Sequence, residues 1–237
     1  MQLDHFGLFS QNFYRSTFEL NLETGLGNYD GGFFPNYGNG TKIVPLGPDV
    51  FLEIEGLVDF SIIKRLLQAE SDDTPVIAHM RKMLGKPELF FLWSFRTESL
   101  EELNELARAT GWTVDHDTLN AANAQQMMSG DKIVVVSTPK ATELLPSIGM
   151  PNVYFWPDMS KHDSRFPVIP ETRKKTPTGV AWIEVGGTKE QFENWFCGFV
   201  AARDHPLEFN GKAPGLYAIA VNTDAGDVVI RRPGINE

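Results

Sequence analysis

Apolar and polar residues alternate with a period of two along Asp49-Val50-Phe51-Leu52-Glu53-Ile54-Glu55-Gly56, the pattern of a strand with one buried side. Val50, Leu52 and Ile54 share one face, and Phe51, Glu53 and Glu55 share the other. An ionised carboxylate beside a core is costly without a partner, so two on one face point to chemistry or pairing. The stretch has an echo near the C-terminus, Asp227-Val228-Val229-Ile230-Arg231-Arg232-Pro233-Gly234, with Arg231 where Glu53 stands. A repeated module is therefore expected.

The rest of the chain reads as three units of one order. Residues 3–9 alternate as a strand, with Leu3, His5, Gly7 and Phe9 on one face and Phe6 and Leu8 on the other. A helix over 11–21, with Ser10 as N-cap, and strands at 28–34, 41–46 and 49–56 complete a β-α-β-β-β unit over 1–58. Residues 59–87 carry helical spacing (Ile62, Ile63, Leu66, Leu67) and read as an insertion. The aromatic run 88–96, a helix at 98–109 with Leu100, Leu103, Leu106 and Ala107 on one side, and strands at 112–115, 132–137 and 152–156 make a second unit over 88–158. The polar, proline-rich 159–178 reads as a linker or lid. A third, βαβββ-like unit over 179–237 has a strand at 180–185, a helix at 189–200 opened by a Thr188/Gln191 capping box, and strands at 206–209, 216–222 and 227–231. The fold class is α+β, with mixed sheets and the helices outside.

Composition narrows the function classes. The net charge is −10, and no Lys/Arg cluster exceeds Arg173-Lys174-Lys175, which argues against nucleic acid or an anionic membrane as partner. The one cysteine, Cys197, excludes an internal disulfide framework and a cysteine-built metal site. No window approaches 18 apolar residues, and the start Leu3-Asp4-His5-Phe6 has no basic and apolar leader pattern, so a soluble, cytoplasmic protein is expected.

Several short stretches, in their order and spacing, resemble the glyoxalase-like proteins of the vicinal oxygen chelate superfamily. They are Leu3-Asp4-His5, Val44-Pro45-Leu46-Gly47 leading to Phe51-Leu52-Glu53, Trp93 with Arg96-Thr97, Gly130-Asp131 before a strand, and Trp156-Pro157-Asp158 after one. The resemblance implies paired βαβββ modules whose sheets curl around a cleft. It implies a divalent metal (Zn, Mn, Fe, Ni or Co) held by a first-strand residue and a last-strand Glu of each module, acting as a Lewis acid. Carried over, His5 and Glu53 take the metal-ligand places of the first module. In the second module those places fall near Phe91 or Leu92 and on Trp156; in the third they fall near Ala181 and on Arg231. That leaves two protein ligands where catalytic sites usually keep three.

Each candidate residue has a plain alternative. His5 is a metal ligand or a histidine hydrogen-bonded to Glu53; Glu53 is a general base or an acid paired with His5 or an arginine. Glu55, nearer the strand end, is expected in solvent. Trp93 and Trp156, with Phe51, wall a ligand pocket or pack in the core. Arg96 forks onto a substrate carboxylate or pairs with Glu98. His79, His116, His162 and His205 are surface histidines, any of which could fold back as a third ligand. The leading expectation is a lyase or isomerase acting on a small oxygenated metabolite, with Glu53 and His5 catalytic and a weakly held metal. A metal-free small-molecule binding protein and a ring-cleaving dioxygenase are the alternatives. The expected partners are a small-molecule ligand and, as an open option, a second copy in a homodimer.

Overall fold

A computed structural model describes residues 1–34, 38–68, 83–84, 86–110, 113–115, 135–137, 150–155, 173–196 and 206–234. Strands β1 (Gln2–Ser10), β2 (Tyr29–Phe34), β3 (Asn39–Pro45) and β4 (Phe51–Leu57) surround helix α1 (Phe13–Thr24) in sequence, and α2 (Phe60–Gln68) follows. Strands β5 (Glu88–Thr97), β6 (Thr113–Asp115), β7 (Val135–Ser137) and β8 (Met150–Phe155) do the same around helix α3 (Leu100–Thr110). The last unit is β9 (Pro177–Val185), helix α4 (Lys189–Phe196), β10 (Leu207–Phe209), β11 (Leu216–Thr223) and β12 (Val228–Arg231).

The first two units share one eight-stranded mixed sheet, ordered β2-β3-β4-β1-β5-β8-β7-β6. Each pairs its first strand parallel to its last, β1 with β4 and β5 with β8, and the two first strands meet antiparallel at the centre. The halves therefore stand in twofold relation about the β1/β5 seam, where Phe6 faces Trp93. This is the paired βαβββ arrangement of a glyoxalase-like α+β fold. The C-terminal unit has the same run of elements but another pairing, β10-β9-β11-β12. There β12 pairs with β11 and not with the unit's first strand, so Arg231 does not stand where Glu53 stands. Arg231 instead forms an ion pair with Glu184 across that sheet.

One face of the large sheet holds the main core. Leu3, Phe6, Leu8, Leu52, Ile54, Phe90, Trp93 and Phe95 pack there against Phe13 and Leu20 of α1, Leu103 and Leu106 of α3, and Val180, Ile183, Leu216, Ile219 and Ile230 of the second sheet. Helix α1 lies close on β4 because Gly56 leaves room: a Cβ there would sit 2.4 Å from Phe13 Cβ. Asn12, not Ser10, is the N-cap residue of α1, and it makes no side-chain cap bond. Ser10 Oγ still accepts the Asn12 N–H at 3.0 Å, from two residues ahead of the N-cap. The capping box of α4 forms as expected, with Gln191 N–H to Thr188 Oγ1 at 3.2 Å and Thr188 N–H to Gln191 Oε1 at 2.9 Å.

Two β-bulges break the central β1/β5 ladder. Leu3 faces Phe95 and His5 faces Ser94, so Asp4 is an extra residue in β1; Gly7 faces Leu92 and Leu8 faces Phe90, so Phe91 is an extra residue in β5. The bulges fall at twofold-related places. The expected Leu3/His5 face is thereby corrected: Leu3 joins Phe6 and Leu8 in the main core, and the bulge turns Asp4 with His5 to the other side. Among the described residues no helix is long and apolar enough to cross a membrane.

Candidate active site

The side of the large sheet opposite α1 and α3 carries the candidate chemistry. His5 and Glu53 come from the parallel pair β1/β4, in which His5 lies beside Phe51 and Gly7 beside Glu53. The imidazole stacks on the Phe51 ring, with centroids 4.5 Å apart and planes at 17°. Its Nε2 lies 3.7 Å from Glu53 Oε2, and its Nδ1 lies 2.5 Å from Asp4 Oδ1. His5, Asp4 and Phe51 are buried, while the Glu53 side chain keeps 17% of its surface in solvent. Glu53 is thus the part of the pair that an incoming molecule meets first.

Glu55 follows on the same face. It is half-buried, not solvent-exposed as expected, and accepts a hydrogen bond from Asn39 Nδ2 at 2.8 Å. Burial and then the neighbouring Glu53 charge push its carboxyl up to about 8, against the smaller downward pull of the Asn39 bond. A neutral carboxylic acid beside a carboxylate splits two like groups into a proton donor and a proton acceptor.

Arg96 reaches this region with its guanidinium already engaged by other groups. Its Nη1 donates to Asp49 O at 2.5 Å, its Nη2 donates to Gln2 Oε1 at 3.3 Å, and Nη1 lies 3.7 Å from Asp4 Oδ2. It is 3% exposed, which leaves it no open approach for a substrate carboxylate. Trp93 lies on the opposite, core side. It faces Phe6 across the seam and packs on Phe95 at 5.5 Å and Phe192 at 5.4 Å, so it is a core residue and not a wall of the His5/Glu53 site. Trp156 and the histidines at 79, 116, 162 and 205 lie outside the described residues.

Register corrects the place assigned to Trp156. Glu53 pairs with Gly7; the twofold carries Gly7 to Ser94, and Ser94 pairs with Asn152. Asn152 therefore takes the Glu53 place in the second module, and Leu92 takes the His5 place. Sequence reasoning missed Asp4 as the partner of His5. Its one signal was a lone carboxylate inside an otherwise apolar strand, which must find a partner.

A divalent metal would find His5 and Glu53 as donors, with Leu92 and Asn152 at the related places. Among the described residues no group of three His, Cys, Asp or Glu side chains could hold a metal ion. These residues do not fit a tightly held catalytic metal, which keeps three protein ligands.

No protein-family model and no curated protein matches the chain. Among solved structures, a hypothetical protein from Staphylococcus aureus matches with a TM-score of 0.55 at 12% identity, over 97% of this chain and 84% of that one. Methylmalonyl-CoA epimerase from Mycobacterium tuberculosis matches with a TM-score of 0.43 at 13% identity, over 65% and 87% of the two chains. The epimerase from Streptomyces coelicolor in complex with 2-nitronate-propionyl-CoA gives 0.44 at 12% identity, over 67% and 99%. The likeness to the staphylococcal protein, which spans nearly the whole chain, is one of fold.

Proposed function

We propose that the chain is a glyoxalase-like isomerase or lyase that moves a proton on a small oxygenated metabolite, with Glu53 taking the proton and His5 beside it. The observation that carries this reading is the 3.7 Å approach of His5 Nε2 to Glu53 Oε2, on a sheet face where burial pushes the adjacent Glu55 carboxyl up to about 8. A carboxylate with a neutral acid and an imidazole at hand can remove a proton next to a carbonyl and return one to oxygen or to the neighbouring carbon. Phe51 keeps the imidazole flat, and the buried Phe9, Leu89 and Phe91 keep the surrounding strands dry. His5 and Glu53 are the residues that would hold a divalent metal. With two donors it would be bound loosely, and no step is routed through it.

The buried aromatic content of this face also supports a second reading, a small-molecule binding protein. One experiment separates the two. The protein is incubated in D2O with a panel of α-hydroxy- and α-oxo-carbonyl compounds and carboxylic thioesters, and loss of each α-proton signal is followed by 1H NMR. Catalysed exchange that disappears in Glu53→Gln supports the isomerase reading. Exchange that survives Glu53→Gln overturns it, and binding of a panel member without exchange favours the binding protein.

A further inference from the structure

We propose that Asp4 and Arg96 are positioning residues for His5: Arg96 fixes the Asp4 carboxylate, and Asp4 locks the imidazole with its proton on Nδ1, leaving the Nε2 lone pair on the Glu53 side. This rests on the reading of His5 and Glu53 as the working pair, but its primary test requires no substrate.

Consecutive strand residues point to opposite faces, so an Asp-His dipeptide in a regular strand cannot bond side chain to side chain. The one-residue bulge at Asp4 removes that restriction and brings Asp4 Oδ1 to 2.5 Å from His5 Nδ1. An ionised carboxylate only accepts hydrogen bonds, so the ring nitrogen facing it carries the proton. Asp4 is fully buried, and a buried carboxylate needs a cation close by. Arg96 supplies it at 3.7 Å. The guanidinium is itself held by Asp49 O and Gln2 Oε1, and its planar geometry leaves it one orientation. The chain of contacts therefore runs from a buried cation through Asp4 and His5 to the half-buried Glu53. Stacking on Phe51 removes the remaining freedom of the ring. The bulge thus sets the direction in which His5 handles a proton: Nε2 accepts.

The test is the histidine side-chain 15N spectrum of the uniformly labelled full chain at neutral pH, with the His5 signals assigned through His5→Gln. The expected result is a single His5 tautomer protonated at Nδ1. In Asp4→Asn the amide oxygen turns to Arg96 and the amide nitrogen faces the ring, so the two ring-nitrogen signals exchange roles as the proton moves to Nε2. In Arg96→Lys the charge stays but the fork is lost, and the His5 signals broaden into a mixture. An Nε2–H tautomer in the unmodified protein, or an unchanged tautomer in Asp4→Asn, overturns the proposal. Should Asp4→Asn fail to fold by circular dichroism, the unmodified protein and Arg96→Lys decide. With an exchanging substrate from the panel, Asp4→Asn lowers kcat about 10- to 100-fold with KM unchanged. Absence of exchange with every panel compound would count against the isomerase reading and leave the tautomer result standing.

Discussion

The two halves of the eight-stranded sheet have one topology and opposite chemistry. At twofold-related places the first half carries Asp4, His5 and Glu53, and the second carries Phe91, Leu92 and Asn152. Each half bulges its first strand at the same point and pairs that strand with its own last strand. The backbone thus offers the same two positions twice, and only one pair holds groups that move protons. Symmetry of fold fixes where chemistry could stand; the side chains decide in which half it does.

The largest effect should come from removing the working carboxylate. Glu53→Gln should lower catalysed α-proton exchange by about 10²- to 10⁴-fold, measured by 1H NMR in D2O, while Asn152→Ala at the related place leaves the rate nearly unchanged. Equal losses in both would break the asymmetry. Next comes the seam itself. Trp93 is fully buried against Phe6, Phe95 and Phe192, and Trp93→Ala should cost about 3–5 kcal/mol of stability in denaturant unfolding. An alanine variant of near-parental stability would remove Trp93 from the core.

A smaller effect is expected at Gly7, where a Cβ would fall 2.4 Å from Leu92 Cβ and 2.8 Å from the Phe91 ring. Gly7→Ala should therefore cost about 1–3 kcal/mol by overpacking. The twofold-related Ser94 already carries a Cβ, so Ser94→Ala should cost less, and melting curves of the two compare the halves directly.

A fourth effect is one of pH. Glu55 is raised in the folded chain from an ordinary 4.5 to about 8, so between those values the folded chain holds more protons than the unfolded one. Stability should fall as pH rises from about 4.5 through about 8 and level off above. Glu55→Gln, with no proton to lose, should flatten that slope in urea midpoints taken across the range. An unchanged slope would show that Glu55 titrates in the ordinary carboxylate range.

Much of this was legible in the sequence. Alternation over 49–56 placed Glu53 and Glu55 together, and the module order carried the β1/β4 pairing that brings His5 to Glu53. The bulges were not legible, because a bulge is a relation between two strands and no Gly or Pro marks Asp4 or Phe91. Leu3 was therefore assigned to the wrong face and Asp4 passed over. Trp93 followed from the same blindness: alternation within β5 does not say which face is the core. The C-terminal unit shows the other limit. A run of strand, helix and three strands permits more than one sheet order, and only long-range contacts distinguish β10-β9-β11-β12 from the arrangement of the first two units.

The paired bulges each add a position to a strand without reversing the faces beyond it. An extra residue in a strand ordinarily turns everything beyond it inside out. Here Leu3 and Phe6 both stay in the core around Asp4, and Phe90 and Trp93 both stay in the core around Phe91. Each insertion is absorbed where it occurs. Each half thereby gains one additional outward position, whose side chain can differ without disturbing its neighbours in the core. The acidic residue in one half and the phenyl ring in the other occupy the same added position, and the two halves of this sheet differ there without any change in the core behind it.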